Sequence, residues 1–382
     1  MRGSRVLAAT PYSAYNRIGR MEFTTEVGKP RNPPRAHAIR SRIQIFIARR
    51  WFLAALLIAL VTGATSASRL GFLIEWRWLR DGVLVAVMFL MAFPLEARSV
   101  WKTLCRPLPA LVAIGVNLGI IPLMAWLVAP MLGESLGFGL IAAAATPCTL
   151  ASASVWTRRA GGNDAISLVV TVVTNAACFI VTPAWLWLAT GRVVGGNAVS
   201  FGSLGQKLAV LAVLPMLVAQ AMRGVPRCAA WANRNKGPLG FAAQWGVLTM
   251  VLLGAIQMGR SLASQPESAF ASRLAATVVA VVGIHVIAFG IGFAAGSRLG
   301  FVREDTTAVA FAGSQKTLMI GLQVSIELGA SIIPMVAYHV GQLLIDTLFA
   351  DRIRHHVRSA AEGPATSSAP IGIPRADRGQ SP

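Results

Sequence analysis

Apolar residues fall into ten runs of about 20 residues, near 48–66, 81–97, 108–131, 136–157, 164–190, 204–223, 238–258, 272–296, 304–326 and 330–350. A helix rises about 1.5 Å per residue, so about 20 apolar residues cross the roughly 30 Å hydrocarbon core of a bilayer. The pattern predicts an all-α polytopic membrane protein of about ten transmembrane helices within residues 45–350. Two runs are interrupted by polar residues midway. The fourth contains Ala145-Thr146-Pro147-Cys148-Thr149-Leu150-Ala151-Ser152, and the ninth contains Gly313-Ser314-Gln315-Lys316-Thr317-Leu318.

Each interruption has a physical reading. Pro147 removes a backbone donor and frees a carbonyl one turn earlier, and Gly313 permits an unwound backbone, so both are expected helix breaks. Lys316 places a charge near mid-bilayer, at about 2.5–3.5 kcal/mol on insertion scales, so it is expected to face a partner or a wet cavity. Non-helical backbone survives at that depth only inside protein or beside water. Ten spans divide into five plus five, and an odd-numbered repeat is inverted in the membrane. The first repeat is then 45–191 and the second 200–350, with one break in the fourth span of each. Two broken helices crossing at the midplane, with a hydrated hollow lined by an amine and hydroxyls, is how many transporters build a binding site.

Composition and charge narrow the picture. Of 382 residues 55% are hydrophobic and 13% charged, against about 25% charged in a soluble domain. The net charge of +20 would suit nucleic acid, but the cations lie in short loops and tails between apolar runs, so no nucleic-acid partner is expected. With ten spans and cytoplasmic termini, twenty Lys and Arg flank the cytoplasmic face and seven the other, so both termini are placed inside. The protein is expected in a bacterial plasma (inner) membrane, in contact with the lipid bilayer, its oligomeric state open. Residues 1–44 and 351–382 read as disordered tails, and either Met1 or Met21 can be the start. The four cysteines have neither metal nor disulfide spacing. Most tryptophans, Trp185 among them, lie near run ends, as in an aromatic belt.

Several stretches resemble the bile acid:sodium symporter superfamily, most closely its SBF-like branch. They are Pro147-Cys148-Thr149-Leu150-Ala151-Ser152 followed by Gly162-Asn163, then Asn175 ahead of Thr182-Pro183, then Phe311 to Leu318, and Tyr338-His339-Val340-Gly341-Gln342-Leu343. The likeness covers about residues 45–350. It implies a secondary transporter whose core and panel domains are built from the two inverted repeats, with the fourth and ninth spans crossing in the core. Bile acid symporters move organic anions with sodium. Of the residues that family uses for sodium, Ser152 matches a serine, and Ser167 and Thr171 match a serine–threonine pair in the fifth span. Ala153 stands in place of an asparagine, Phe311 of a glutamate and Lys316 of an asparagine. Sodium wants oxygen ligands with a negative charge among them, so this departure is read as a changed coupling mechanism.

The candidate substrate- and ion-binding residues are therefore Thr149, Ser152, Ser167, Thr171 and Asn175 on one side, and Ser314, Gln315, Lys316, His339 and Gln342 on the other. A sodium ion near Ser152, Ser167 and Thr171 is the single cofactor-like group left open, and no other metal is expected. Lys316 can pair with an anion, stand in for a coupling cation, or release its proton during transport; its bland alternative is snorkelling to the interface. Hydroxyls in membrane helices often bond only their own preceding turn. His285 is expected as a satisfied core residue, Asp346 as the partner of an arginine, and Asn117 and Gln257 as buried amides of unknown role. The leading function is secondary active transport of a small organic anion, coupled to sodium or protons. The alternative is a non-transporting membrane regulator or scaffold affecting cation homeostasis. Transport predicts a water-accessible Lys316 and a scaffold a dry one. Lys316→Ala and Lys316→Gln are both expected to fold and to abolish activity. No HExxH, GxSxG or paired catalytic carboxylates occur in the spans, so an enzyme is not expected.

Overall fold

The computed structural model describes residues 51–52, 54–96, 107–190, 193–194, 197–198, 201–262 and 267–361. The expected tail 1–44 lies outside these residues, as does the end of the C-terminal one. The elements are helices α1 (Ala54–Thr65), α2 (Ala67–Glu75), α3 (Arg77–Ala92), α4 (Leu108–Leu132), α5 (Glu134–Ala144), α6 (Ser152–Arg159) and α7 (Asp164–Thr190). After a two-residue antiparallel ladder, β1 (Val193–Val194) with β2 (Asn197–Ala198), come α8 (Phe201–Met222), α9 (Pro226–Arg234) and α10 (Lys236–Leu262). The chain closes with α11 (Glu267–Arg298), α12 (Arg303–Ser314), α13 (Leu318–Glu327) and α14 (Ile333–Ala361). α14 thus runs into the stretch expected to be a tail.

Among the described residues six helices are long and apolar enough to cross a membrane: α4, α7, α8, α10, α11 and α14. A seventh is added if α1 and α2, bent by 83°, count as one. The second expected span corresponds to the 16-residue α3, and the fourth and ninth to the pairs α5 with α6 and α12 with α13.

Three of the four helices in the interrupted pairs, α5, α12 and α13, form the interior. Leu136 to Ala144 of α5, Thr306 to Ser314 of α12 and Leu318 to Ile326 of α13 are all buried. Large apolar side chains elsewhere face outward, including Leu57, Trp78, Leu127 and Met131, as expected where the solvent is lipid. Small residues let the inner helices approach. A Cβ on Gly139 would meet the Ser331 carbonyl, and one on Gly162 would lie 2.9 Å from Thr157 and Thr307 methyls. Asn163, beside Gly162, fastens the α6–α7 turn to the start of α12: its N–H donates to Glu304 O (2.9 Å) and its side chain to Asp305 (2.9 Å).

Prolines shape two of the outer helices. Pro122 lacks an N–H and its ring crowds the preceding turn, and α4 widens there into a π-helical segment, Val116–Ile120. The carbonyl of Leu118 is thereby freed and accepts the Trp185 indole N–H at 2.7 Å. Trp185 is a helix-to-helix clamp, beyond the belt role expected from its place in the chain. Pro215 follows a second π segment, Ala209–Val213, in α8.

Candidate functional site

The break between α5 and α6 is an accounting problem in backbone hydrogen bonds, and the fold solves it residue by residue. Pro147 ends α5, and the Thr146 hydroxyl turns back to donate to Ala143 O at 2.7 Å. Each of the five carbonyls from Ala145 to Thr149 has a donor. Thr182 serves Ala145 O (2.8 Å), the Lys316 ammonium Thr146 O (2.6 Å), and Thr317 N–H Pro147 O (2.9 Å). Asn175 serves Cys148 O (2.7 Å) and Thr171 serves Thr149 O (3.1 Å). Thr149 Oγ1 then accepts the N–H groups of Ala151 and Ser152 at 3.3 and 3.2 Å, starting α6. An unpaired buried carbonyl costs about 1–3 kcal/mol, so this set makes the break tolerable at membrane depth.

The second break is narrower. α12 ends at Ser314, and Gln315, Lys316 and Thr317 are extended or irregular before α13 begins. Gly313, expected to unwind, is helical; its role is room, since a Cβ there would lie 3.3 Å from Val116 Cβ on α4. Gln342 on α14 acts as a strand would: its Oε1 accepts Lys316 N–H (2.9 Å) and its Nε2 donates to Lys316 O (3.0 Å). Asn117, in the π segment of α4, donates to Gln315 O at 2.7 Å. Tyr338 OH donates to Ser314 O at 2.9 Å. The Thr317–Pro147 backbone bond joins the two breaks directly.

Lys316 is fully buried, with 0% exposure. Its Nζ has three oxygen neighbours: Asn117 O (2.6 Å), Thr146 O (2.6 Å) and Asn117 Oδ1 (3.3 Å). Three acceptors match the three N–H groups of an ammonium; a neutral amine would turn a lone pair on one of them. Thr146 O lies just past the C-terminal end of α5, where the helix dipole favours a cation. The expected water-accessible amine is instead fully buried, and its three nearest acceptors are protein oxygens.

A polar chain leads inward from the surface. Ala151 is exposed and Ser152 half-buried. The Ser152 hydroxyl shares a proton contact with Thr149 (2.9 Å) and donates to Gln315 Oε1 (2.8 Å). Gln315 Nε2 donates to Asp346 Oδ2 (2.5 Å), and Asp346 Oδ1 meets His285 Nε2 (2.9 Å). His285 Nδ1 faces Ser314 O at 3.2 Å. Asp346 therefore pairs with a histidine and an amide, not with the arginine expected, because α14 turns it toward α11.

Of the candidate residues, Thr149, Ser152, Thr171, Asn175, Ser314, Gln315, Lys316 and Gln342 share one hydrogen-bonded cluster. His339, partly exposed, joins at its edge through Gln342 (3.0 Å). Ser167 stands apart, its hydroxyl paired with Thr157 at 2.7 Å. At the three residues where a sodium ion was left open, the hydroxyls of Ser152, Ser167 and Thr171 each have a protein partner. Asn175 Oδ1 is a buried oxygen without a hydrogen-bond partner among the described residues. Sequence reasoning missed Asn117, Thr146, Thr182 and Tyr338 as site residues. A buried amide between Gly115 and Gly119, just ahead of Pro122, was the available signal for Asn117.

A family model for SBF-like CPA transporters matches residues 50–355. A chloroplast protein of Arabidopsis thaliana described as a probable sodium/metabolite cotransporter, BASS4, is 28% identical over 54% of this chain and 49% of its own length. Sodium/bile acid cotransporter 7 of Mus musculus is 24% identical over 65% of this chain and 74% of its own. An uncharacterized protein of Pseudomonas aeruginosa is 26% identical over 61% of this chain and 70% of its own. The chain thus spans about half the length of the chloroplast relative and about three quarters of the mouse one.

Proposed function

The chain belongs to the SBF-like CPA transporter family, hence is an integral membrane protein, and we propose that it is a secondary active transporter of a small organic anion. The observation that carries this reading is the meeting of two interrupted inner helices around an ammonium group held by neutral oxygens. Such a group offers an anion a positive charge without a carboxylate already neutralising it. The names of the chloroplast and mouse relatives, a sodium/metabolite and a sodium/bile acid cotransporter, support a small acidic solute moved with a cation.

In this reading ten membrane segments form two inverted repeats of five: α1–α2, α3, α4, α5–α6 and α7, then α8, α10, α11, α12–α13 and α14. The crossed breaks are the fourth segment of each, and the site lies between them. Alternating access moves this inner unit against the remaining helices. Both termini lie in the cytoplasm of a bacterial cell, with Arg158, Arg159, Arg298 and Arg303 on that face. Reporter fusions at the C-terminus check the orientation.

Function is tested by comparing metabolites in cells with and without the protein, then measuring uptake of the depleted or accumulated acid by membrane vesicles. Choline in place of sodium, and collapse of the pH gradient, identify the driving ion. A second reading, a non-transporting regulator or scaffold, draws support from the enclosure of Lys316. Transport requires a state in which the amine opens to water. Cysteines at 152 and 316, probed in membranes with a water-soluble maleimide, separate the two: protection of position 316 under every solute and ion condition would end the transport reading.

A further inference from the structure

Building on the transporter reading, the geometry points to a proton-binding site at the His285–Asp346 pair, whose occupancy sets the charge of the anion site around Lys316. The argument begins with the partners of the imidazole. Ser314 O is a carbonyl and only accepts, so His285 Nδ1, 3.2 Å away, carries a hydrogen. That leaves Nε2, 2.9 Å from Asp346 Oδ1. Two heavy atoms at this distance need one proton between them. It rides on Nε2, giving imidazolium and carboxylate, or on Oδ1, giving neutral imidazole and carboxylic acid. Both forms are neutral as a pair. Without the proton, the Nε2 lone pair faces a carboxylate oxygen, the bond becomes a repulsion, and the pair carries one negative charge in a buried place (His285 1%, Asp346 0% exposed).

Asp346 is further tied to the anion site by Gln315, the residue before Lys316, whose Nε2 donates to Oδ2 in either protonation state. The charges then sum simply. With the proton bound, the pair is neutral and Lys316 contributes an uncompensated positive charge, which suits one monovalent anion. With the proton released, the carboxylate balances the ammonium and the anion loses its counter-charge. Proton and anion are thereby favoured to bind together. On release the Nε2–Oδ1 bridge opens, the proton passes to water admitted from the Ser152 side, and a neutral imidazole and a carboxylate remain.

Other titratable groups around the pair are fixed in place. Tyr338 OH is spent on Ser314 O, and His339 Nδ1 meets Gln342. Cys148 lies in the facing break. Farther along α14, Asp351 is paired with Arg159 of α6, and Arg303 of α12 donates to Ile353 O. The intramembrane Asp–His pair is therefore the element free to exchange a proton without losing another partner.

The test uses the full chain reconstituted in liposomes, with the proton alone as the ligand. Infrared difference spectra taken across the whole pH range in which the protein stays folded are expected to show paired carboxyl and imidazole changes. Asp346→Asn is built to fold, since its Oδ1 can accept from Gln315 and its Nδ2 can donate to a bare Nε2, mimicking the loaded state; it should abolish the paired signal. His285→Gln should retain a carboxyl signal shifted in pH. A spectrum that lacks the paired change, or keeps it in Asp346→Asn, or is unmoved by His285→Gln, overturns the proposal. Sodium-driven uptake by a protein with a silent Asp346 would sink the proton site and spare the transporter. A clear Asp346 signal in a protein that moves no solute would do the reverse.

Discussion

Lys316 is held without an ion pair among the described residues, so its energetics rest on oxygens alone. Burying an ammonium costs several kcal/mol, and a hydrogen bond to a charged group returns about 1.5–3 kcal/mol, so three such bonds roughly offset it. Removing the side chain does more than lift an insertion penalty. In Lys316→Met the carbonyls of Thr146 and Asn117 lose their donor, at about 1–3 kcal/mol each. We expect the purified variant to melt well below the wild type in detergent, by about 2–6 kcal/mol of stability, and Lys316→Gln to recover about half by donating to one carbonyl. This amends the expectation that neutral substitutions fold unharmed. Thermal melts read by size exclusion check it; a Met variant as stable as wild type would mean that the amine does not cap the breaks.

Elements meet at this site through side chains acting as backbone. Gln342 supplies Lys316 with the donor and acceptor that a helix turn or a neighbouring strand would supply. Gln342→Leu should leave the α12–α13 connection in place but free two backbone groups, and hydrogen exchange at the amides of Lys316 and Thr317 should quicken about tenfold or more. Gln342→Glu, keeping the acceptor and losing the donor, should fall between. Unchanged exchange in the Leu variant would show that the break is held by other means. The breaks themselves were legible in sequence because their markers are local: a proline inside one apolar run and a charge inside the other. The partners were not. Asn117 and Lys316 are 199 residues apart, and Ser152 and Gln315 are 163 apart, so only packing brings them together. Gly313 misled because a glycine in a helix can answer a close neighbour, here Val116, as well as an unwound turn. Asp346 misled because charge along a sequence says nothing of which way α14 turns.

The whole molecule is fastened unequally at its two ends. At one end Glu327 of α13 meets Arg80 of α3 (2.6 Å) and Lys207 of α8 (2.7 Å), while Asp81 meets both cations within 3.8 Å and accepts from Gln323 at 3.1 Å. These side chains are 10–27% exposed, so the two cations and two carboxylates balance in partly desolvated surroundings. At the other end Arg158 pairs with Asp164 and Arg159 with Asp351, on side chains 38–74% exposed. Exposed pairs contribute about 0–1 kcal/mol, and partly buried networks more, so the Glu327–Asp81 end, the clasp end, is the more firmly fastened of the two. Glu327→Gln keeps an acceptor but leaves two cations facing a single carboxylate. If α3 and α8 move against α13 during transport, this change should favour the state open at the clasp end. A shift of about 1.4 kcal/mol multiplies that population tenfold. Ser325, buried on α13 with no partner for its hydroxyl among the described residues, accepts a cysteine probe at little cost. Its labelling by a membrane-impermeant maleimide should be slow alone and about tenfold faster beside Glu327→Gln, with added salt having the smaller effect because the pairs are partly buried. Equal labelling rates with and without Glu327→Gln, in a protein still folded by melting, would show that the clasp braces the fold without gating it.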